Sequence, residues 1–372
     1  MRPVVLLASV LSRGGAERQL VALAKGLKQR GREVVVMVYR GEGVFDRELK
    51  EAGVEIVYVK KWGRFDPFFL FRLAAALRRL QPAAIYSFLS VPDIFAVLVR
   101  PFVPHCKIVW GIRCTNLGDQ LSLLQRFVGQ AEIWLSRFAD AIIANSHAGK
   151  EWVIKLGFAA DKICVIENGI DTDRFKYDEE GRKRVRSEFG LKDHERLIVQ
   201  IGRLDEMKDH PTFIKACAIL AAEDDSLRFA CVGGGEAVYR DFLAALADRL
   251  GLHDKLIWTG ARDDISAIYS SSSSSSSSSS FGEGFSNTIA EAMSCGVVCA
   301  VTNVGDSALI VGDLGFVVPP RDPQALANAL RQSLERAAND PDLNAKLRSS
   351  IETRFSLETM ITRTESVLEQ TR

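Results

Sequence analysis

What the 372-residue chain lacks narrows it first. No stretch approaches the roughly 18 uninterrupted apolar residues of a membrane span, which excludes a spanning helix. The seven cysteines are scattered and none forms Cys-x-x-Cys. That excludes the usual ligand spacing of a structural zinc and points to a reduced, cytoplasmic chain. Cys295 and Cys299, the closest well-separated pair, read as core residues. The apolar run at residues 4–11 has no small-residue cleavage site behind it. Glycines and a charged helix follow instead, so it reads as a buried strand rather than a signal peptide. The three-glycine dinucleotide fingerprint is also missing, since only Gly14 and Gly15 follow that first strand.

What is present is ordinary in amount and uneven in placement. Hydrophobic residues make up 47% and charged residues 26%, as in a globular protein, and the length suits two cores better than one. The net charge of +1 hides an asymmetry. Residues 1–176 hold 26 Lys+Arg against 17 Asp+Glu, or +9, and the remainder stands at −8. A basic first half suits an anionic ligand or membrane surface, or is a chance split of solvated charge.

Apolar, β-branched runs alternate with segments of helical period throughout. Runs at 4–11, 34–39, 54–59, 83–88, 108–111, 141–144 and 163–166 predict strands covered on both faces, hence a parallel sheet. Helices are predicted between them, among others at 16–30 and 68–80. A second series starts near Arg196, and the polar, charged stretch 171–195 between the two reads as a linker, with the boundary near residue 172. One segment breaks the pattern. Residues 270–280 are unbroken serine, whose composition predicts a flexible loop, yet the alternation calls for a buried strand in that slot.

Three segments carry candidate chemistry. Gly14 and Gly15 open a helix directly after a strand, where free amides and the helix dipole attract an anion. In residues 201–211, Arg203 and Lys208 follow the strand that ends at Gly202, at the edge where α/β sheets bind ligands. Arg suits a diphosphate by paired hydrogen bonds and Lys by compact charge. In residues 281–296, glycines flank Glu283, a helix opens near Asn287, and Glu291 lies eight residues after Glu283 among apolar neighbours. Amides at Phe285–Asn287 suit a phosphate, and either carboxylate suits vicinal hydroxyls.

Taken in order, GGAERQL (14–20), ENGIDTDRF (167–175), IGRLDEMKDHPTFIKA (201–216), EGFSNTIAEAMSCG (283–296) and VVPPRDPQALANAL (317–330) resemble the group-1 (family 4) retaining glycosyltransferases across nearly the whole chain. The resemblance implies the GT-B fold, two Rossmann-like α/β domains with parallel sheets facing a cleft. The expected organisation is an acceptor-side domain at 1–172, a nucleotide-sugar donor domain at 173–355, and a C-terminal helix at 356–372 packing back toward the first domain. It also implies that a nucleotide-diphosphate sugar is the donor, with no cofactor and no metal, and that a saccharide or lipid-linked molecule is the acceptor. Arg203 and Lys208 would bind the diphosphate, Glu283 the sugar and Glu291 the ribose. The backbone at Gly284, Phe285, Ser286 and Asn287 would hold the donor, with Gly14 and Gly15 closing over it. Arg203, Lys208 and Glu283 are thus the expected catalytic set. Many members carry a histidine after the fifth strand; this chain has Arg113 there, with Asn116 beyond it, as acceptor-side or front-face candidates. His147 reads as structural or a helix cap. Rival readings are a GT-B nucleotide-sugar 2-epimerase and a non-catalytic nucleotide-sugar-binding relative. An anionic membrane surface joins the expected partners. The segment Lys60–Leu80 mixes aromatics with six basic residues, and it reads either as an interfacial helix or as an ordinary sheet-covering one.

Overall fold

The computed structural model describes every residue except 1, 13, 64–65, 114, 116–122 and 370–372, and for residues 123–126 the backbone alone. The chain divides into two compact units, residues 1–169 with 357–372, and residues 170–356.

The first unit alternates strands and helices in chain order: β1 (Val4–Ala8), α1 (Gly15–Gln29), β2 (Val34–Val38), α2 (Asp46–Glu51), β3 (Glu55–Tyr58), α3 (Phe69–Leu80), β4 (Ala84–Ser87), α4 (Ser90–Leu98), β5 (Lys107–Ile112), α5 (Leu123–Leu135), β6 (Ala141–Ala144), α6 (His147–Leu156) and β7 (Ile163–Val165). The strands form one parallel sheet in the order β3-β2-β1-β4-β5-β6-β7. Because side chains alternate across a strand, Val5, Leu7, Met37, Ile85 and Trp110 pack under α3, α4 and α6 on one face. Leu6, Val36, Tyr86 and Val109 pack under α1 on the other. Both faces are covered, which is why the strands read as continuous apolar runs. Gly31 ends the first helix with φ 77°, the left-handed turn expected of it.

The second unit follows the same plan: α7 (Glu179–Glu188), β8 (Arg196–Ile201), α8 (His210–Glu223), β9 (Leu227–Val232), α9 (Ala237–Arg249), β10 (Leu256–Gly260), α10 (Ile265–Ser271), β11 (Ser274–Ser277), α11 (Asn287–Ser294), β12 (Cys299–Thr302), α12 (Ser307–Val311), β13 (Phe316–Val318), α13 (Pro323–Asn339) and α14 (Leu343–Arg354). Its sheet is parallel in the order β10-β9-β8-β11-β12-β13. The last helix, α15 (Leu357–Glu369), belongs to the first unit, where it packs on α1. Gly26 makes room for it, since a Cβ there would lie 2.1 Å from Ile361 Cδ1. Arg30 and Arg32 both pair with Glu365.

Two sequence expectations change here. The stretch 171–195 is more than a linker, because it contains α7. Asp178 caps that helix through the Gly181 amide, Val185 is buried in the core, and Arg182 reaches the Ser270 carbonyl. The serine tract is not a flexible loop. Its first residues end α10, and Ser274–Ser277 form β11, a central strand buried between β8 and β12. The parallel ladder on both sides outweighs the weak β-preference of serine. Two of the buried hydroxyls find local acceptors, Ser271 at the Ile268 carbonyl and Ser274 at the Val298 carbonyl and Ser333 Oγ, whereas Ser276 Oγ is buried without a partner among the described residues.

Candidate functional site

The second unit gathers most of the predicted residues at the carboxyl ends of β8 and β11. The chain leaves β8 at Ile201 and passes Gly202, which lies against β9's exit. A Cβ on Gly233 would come 1.8 Å from the Gly202 carbonyl oxygen. Asp205 then turns the chain, its carboxylate accepting from the Lys208 amide while it also binds the Arg203 guanidinium, Nε to Oδ2 at 2.6 Å. Asp209, at φ 45°, starts α8 and bonds Thr212 Oγ1 at 2.7 Å. Two cations are thereby set in one loop with different freedom. The Arg203 side chain is 73% exposed, whereas the Lys208 side chain is 19% exposed.

Lys208 Nζ pairs with Glu283 Oε1, and the Glu283 side chain is 8% exposed. Ser279, in the serine tract just past β11, donates to the same carboxylate oxygen at 2.7 Å. Ser278 donates to the Lys208 carbonyl at 2.8 Å, tying the two loops together. The glutamate loop is held from behind as well. Gly305 packs so closely that a Cβ would lie 2.5 Å from the Glu283 and Gly284 carbonyl oxygens, and the Asp306 amide donates to Gly284 at 3.0 Å.

Helix α11 opens directly after this loop. Ser286 is its N-cap and makes no side-chain cap bond to the first amides. Phe285 is buried against Phe355, their ring centroids 5.1 Å apart, and Tyr269 Oη donates to the Thr288 carbonyl at 2.8 Å. These contacts fix the start of a helix that is buried along its length, Glu291 included. One cation, one buried carboxylate and a helix N-terminus therefore meet at one strand edge, with Arg203 exposed beside them. Such a set binds an anion through charge and amides and binds hydroxyls through the carboxylates.

The remaining candidates belong to the first unit. Gly14 is the N-cap of α1 and Gly15 its first residue, and Ser12 holds the Glu17 carboxylate nearby at 2.8 Å. Arg113 leaves the end of β5 and is deeply set for a cation. It donates to Tyr86 Oη and to Asn168 Oδ1 at 3.3 Å, and its guanidinium lies 4.3 Å from the centre of the Phe88 ring. Burial pushes the Tyr86 phenol up to about 12, with Arg113 opposing. Asn116 lies outside the described residues. His147 is the first residue of α6, while the cap is Ser146, which accepts from the Gly149 amide.

The sequence reading missed Ser279, Asp205, Gly233 and Gly305. The glycines carried a signal, since each follows a predicted strand. Ser279 carried none inside a homopolymer. Two Asp-x-Asp triplets were also passed over. Asp171 caps the Arg174 amide and Asp340 pairs with Lys346. Among the described residues no cluster of three His, Cys, Asp or Glu stands ready for a metal ion, and the six described cysteines are free.

Comparison with known proteins adds the following. The family described as Glycosyltransferase Family 4 matches residues 13–174, and Glycosyl transferases group 1 matches residues 195–336. A Campylobacter jejuni protein named N-acetylgalactosamine-N,N'-diacetylbacillosaminyl-diphospho-undecaprenol 4-alpha-N-acetylgalactosaminyltransferase is 28% identical over 279 residues, 72% of each chain. The D-inositol 3-phosphate glycosyltransferase of Streptomyces avermitilis is 29% identical over 62% of this chain, and the match spans half of that protein's length. Anabaena Alr3699/HepE, solved with UDP, superposes with a TM-score of 0.87 at 22% identity, covering 98% of this chain and 99% of that one. It has also been solved with UDP-glucose.

Proposed function

Starting from the group-1 glycosyltransferase that the two family matches support, we propose that this chain is a retaining enzyme. It moves a hexosyl-type sugar from a nucleotide-diphosphate sugar to a saccharide or lipid-linked acceptor, in the making of a cell-surface polysaccharide or glycolipid. The observation that carries the reading is the Lys208–Glu283 pair, held beside the N-terminus of α11 with Arg203 exposed next to it. Lys208, Arg203 and the amides of Phe285, Ser286 and Asn287 take the diphosphate, Glu283 takes sugar hydroxyls, and the buried Glu291 takes the ribose. A uridine nucleotide fits best, because the Anabaena neighbour of like fold binds UDP and UDP-glucose. A lipid-linked acceptor is favoured by the Campylobacter relative, whose name specifies a diphospho-undecaprenol substrate.

In this reading the acceptor oxygen bonds to the anomeric carbon on the face from which the diphosphate leaves. The carbon–phosphate-oxygen bond breaks with its electron pair going to the diphosphate, and the leaving phosphate takes the acceptor proton. Negative charge grows on the diphosphate, so preorganised cations and amides are worth most in the transition state. Arg113 is the front-face candidate, with Asn116 beyond it. The test is release of free nucleoside diphosphate that depends on both donor and acceptor, with mass spectrometry and NMR of the product. An inverted anomer, or a changed nucleotide sugar with no acceptor product, refutes the proposal.

A further inference from the structure

The carboxyl ends of β4, β5 and β6 hold a cluster that the donor chemistry of the second unit leaves unexplained. Leu89, two residues past β4, adopts φ 76°, a value that L side chains rarely take. Its amide donates to the Gly111 carbonyl of β5 at 3.3 Å, so the strained residue is tied to the strand that leads to Arg113. Gly111 has no room for a side chain: a Cβ would lie 2.7 Å from the Ser87 carbonyl oxygen and 3.4 Å from Arg113 Nε. Around this turn three buried polar atoms lack a hydrogen-bond partner among the described residues, namely Asp93 Oδ2, Arg113 Nε and Asn145 Oδ1. Asn145 donates to the Arg113 carbonyl at 3.4 Å, and Asp93 Oδ1 accepts from the Gly111 amide at 3.4 Å. Such orphaned atoms are few in a folded chain, and backbone strain gathers at binding sites.

Arg113 is the cation of this cluster, and its surroundings leave its charge uncancelled. Its partners are neutral: Tyr86 Oη, Asn168 Oδ1 at 3.3 Å and the Phe88 ring, whose centre lies 4.3 Å away. Burial pushes the Tyr86 phenol up to about 12, so it keeps its proton. The buried Asp93 feels the Arg113 charge but is also held protonated. Burial raises its carboxyl well above the usual range, Glu132 adds to the rise, and the Ser87 and Gly111 donors with Arg113 only oppose it. Among the described residues Arg113 forms no ion pair. Its bonds to Asn168 and Tyr86 use one N–H of each terminal nitrogen, which leaves one donor on each. Rings on either side keep water back and so keep the field of the cation strong.

We propose that Arg113 sets acceptor specificity: it receives an oxyanion, carboxylate or phosphate, carried by the acceptor, and so selects an anionic acceptor over a neutral one. The inference rests on the transfer reading, in which the donor diphosphate has its own cations, Arg203 and Lys208, in the second unit. The Arg113 charge is then left for a different anion. Arginine suits the place because Tyr86 and Asn168 fix its planar fork. Lysine would supply only a point charge, and a histidine there would change charge near neutral pH.

The experiment titrates the full chain, saturated with UDP, with three probes: glucose, glucuronic acid and glucose 6-phosphate. Calorimetry or ligand-observed NMR gives each affinity. At least one anionic probe is expected to bind on the order of 10- to 100-fold more tightly than glucose, the worth of a hydrogen bond to a charged group. The stronger of the two says whether the acceptor carries a carboxylate or a phosphate. Arg113→Gln should abolish the preference, and Arg113→Lys should restore part of it. No preference, including no binding of any probe, overturns the inference. So does a preference that survives Arg113→Gln, since the anion then sits elsewhere. A merely structural Arg113 would lower all three affinities alike, with no rescue by lysine, and that result overturns it too. UDP affinity of the parent chain is read separately: its absence refutes the transfer reading, whereas UDP binding without anion preference refutes this inference alone.

Discussion

Removing the Lys208 ammonium should harm the fold before it is asked to do any chemistry. Its partner Glu283 is 8% exposed on its side chain and also accepts from the Ser279 hydroxyl. Lys208→Ala takes the paired cation away from that carboxylate in a poorly solvated loop. Breaking a buried pair from one side costs about 3–5 kcal/mol. Lys208 keeps 19% of its exposure, so water reaches the pair and about 2–3 kcal/mol is the better figure. The second unit spans residues 170–356, and a domain of that size loses roughly 2–4 °C per kcal/mol. Differential scanning calorimetry should therefore show a Tm lower by roughly 5–10 °C in Lys208→Ala. Adding Glu283→Gln removes the stranded charge, so the double variant should recover most of that loss while remaining inactive. A Tm unmoved by Lys208→Ala would refute the reasoning, and so would a double variant in which the two losses simply add.

Arg203→Ala should behave differently, because its side chain is 73% exposed. Tm should stay within 1–2 °C or so, while turnover falls on the order of 100- to 1000-fold as a transition-state donor is lost; near-normal turnover would remove the diphosphate role. Titration with UDP alone should separate the two glutamates, with Glu291→Gln weakening affinity and Glu283→Gln sparing it. Identical weakening contradicts the assignment. Burial pushes the Glu132 carboxyl up to about 7 from an ordinary 4.5, opposed by Ser90, and pushes the neighbouring Asp93 well above its usual range. The folded chain then holds the extra proton between about pH 4.5 and 7, so stability from Glu132 is greatest below that window and is lost as pH rises through it, by about 3 kcal/mol. Urea unfolding at pH 5 and pH 8 should show a smaller difference in Glu132→Gln than in the parent chain, and an unchanged difference would exclude Glu132 as the cause.

Apart from the serine strand β11, the strands of both units were legible because a parallel sheet covered on two faces demands unbroken apolar runs, and the chain supplies them from Val4 to Val165 and again from Arg196. The candidate site was legible where a residue type states its own purpose, as Arg203 and Lys208 do after a strand end. It was not legible where the partner is set by the tertiary fold. Nothing near Arg113 in the sequence announces Tyr86 or Asn168, which arrive from another strand and from beyond β7. The α5 sequence, LLQRFVGQAEIWL, is apolar on most sides, and only the folded unit distinguishes the buried Leu135 from the exposed Phe127 and Trp134.

The serine strand has one more consequence. In most strands a slip by one residue exchanges the inward and outward sets, and that penalty fixes the register. Here a slip exchanges serine for serine. Nothing within Ser274–Ser277 can tell one alignment with Ile198 and Cys299 from the next, so the alignment is fixed from outside, by Tyr269 before the tract and Phe285 after it. The tract therefore acts as a measured tether whose specification is its length. One serine added or removed would leave β11 chemically unchanged and move Glu283 along the chain by about one strand residue, roughly 3.3 Å, away from Lys208.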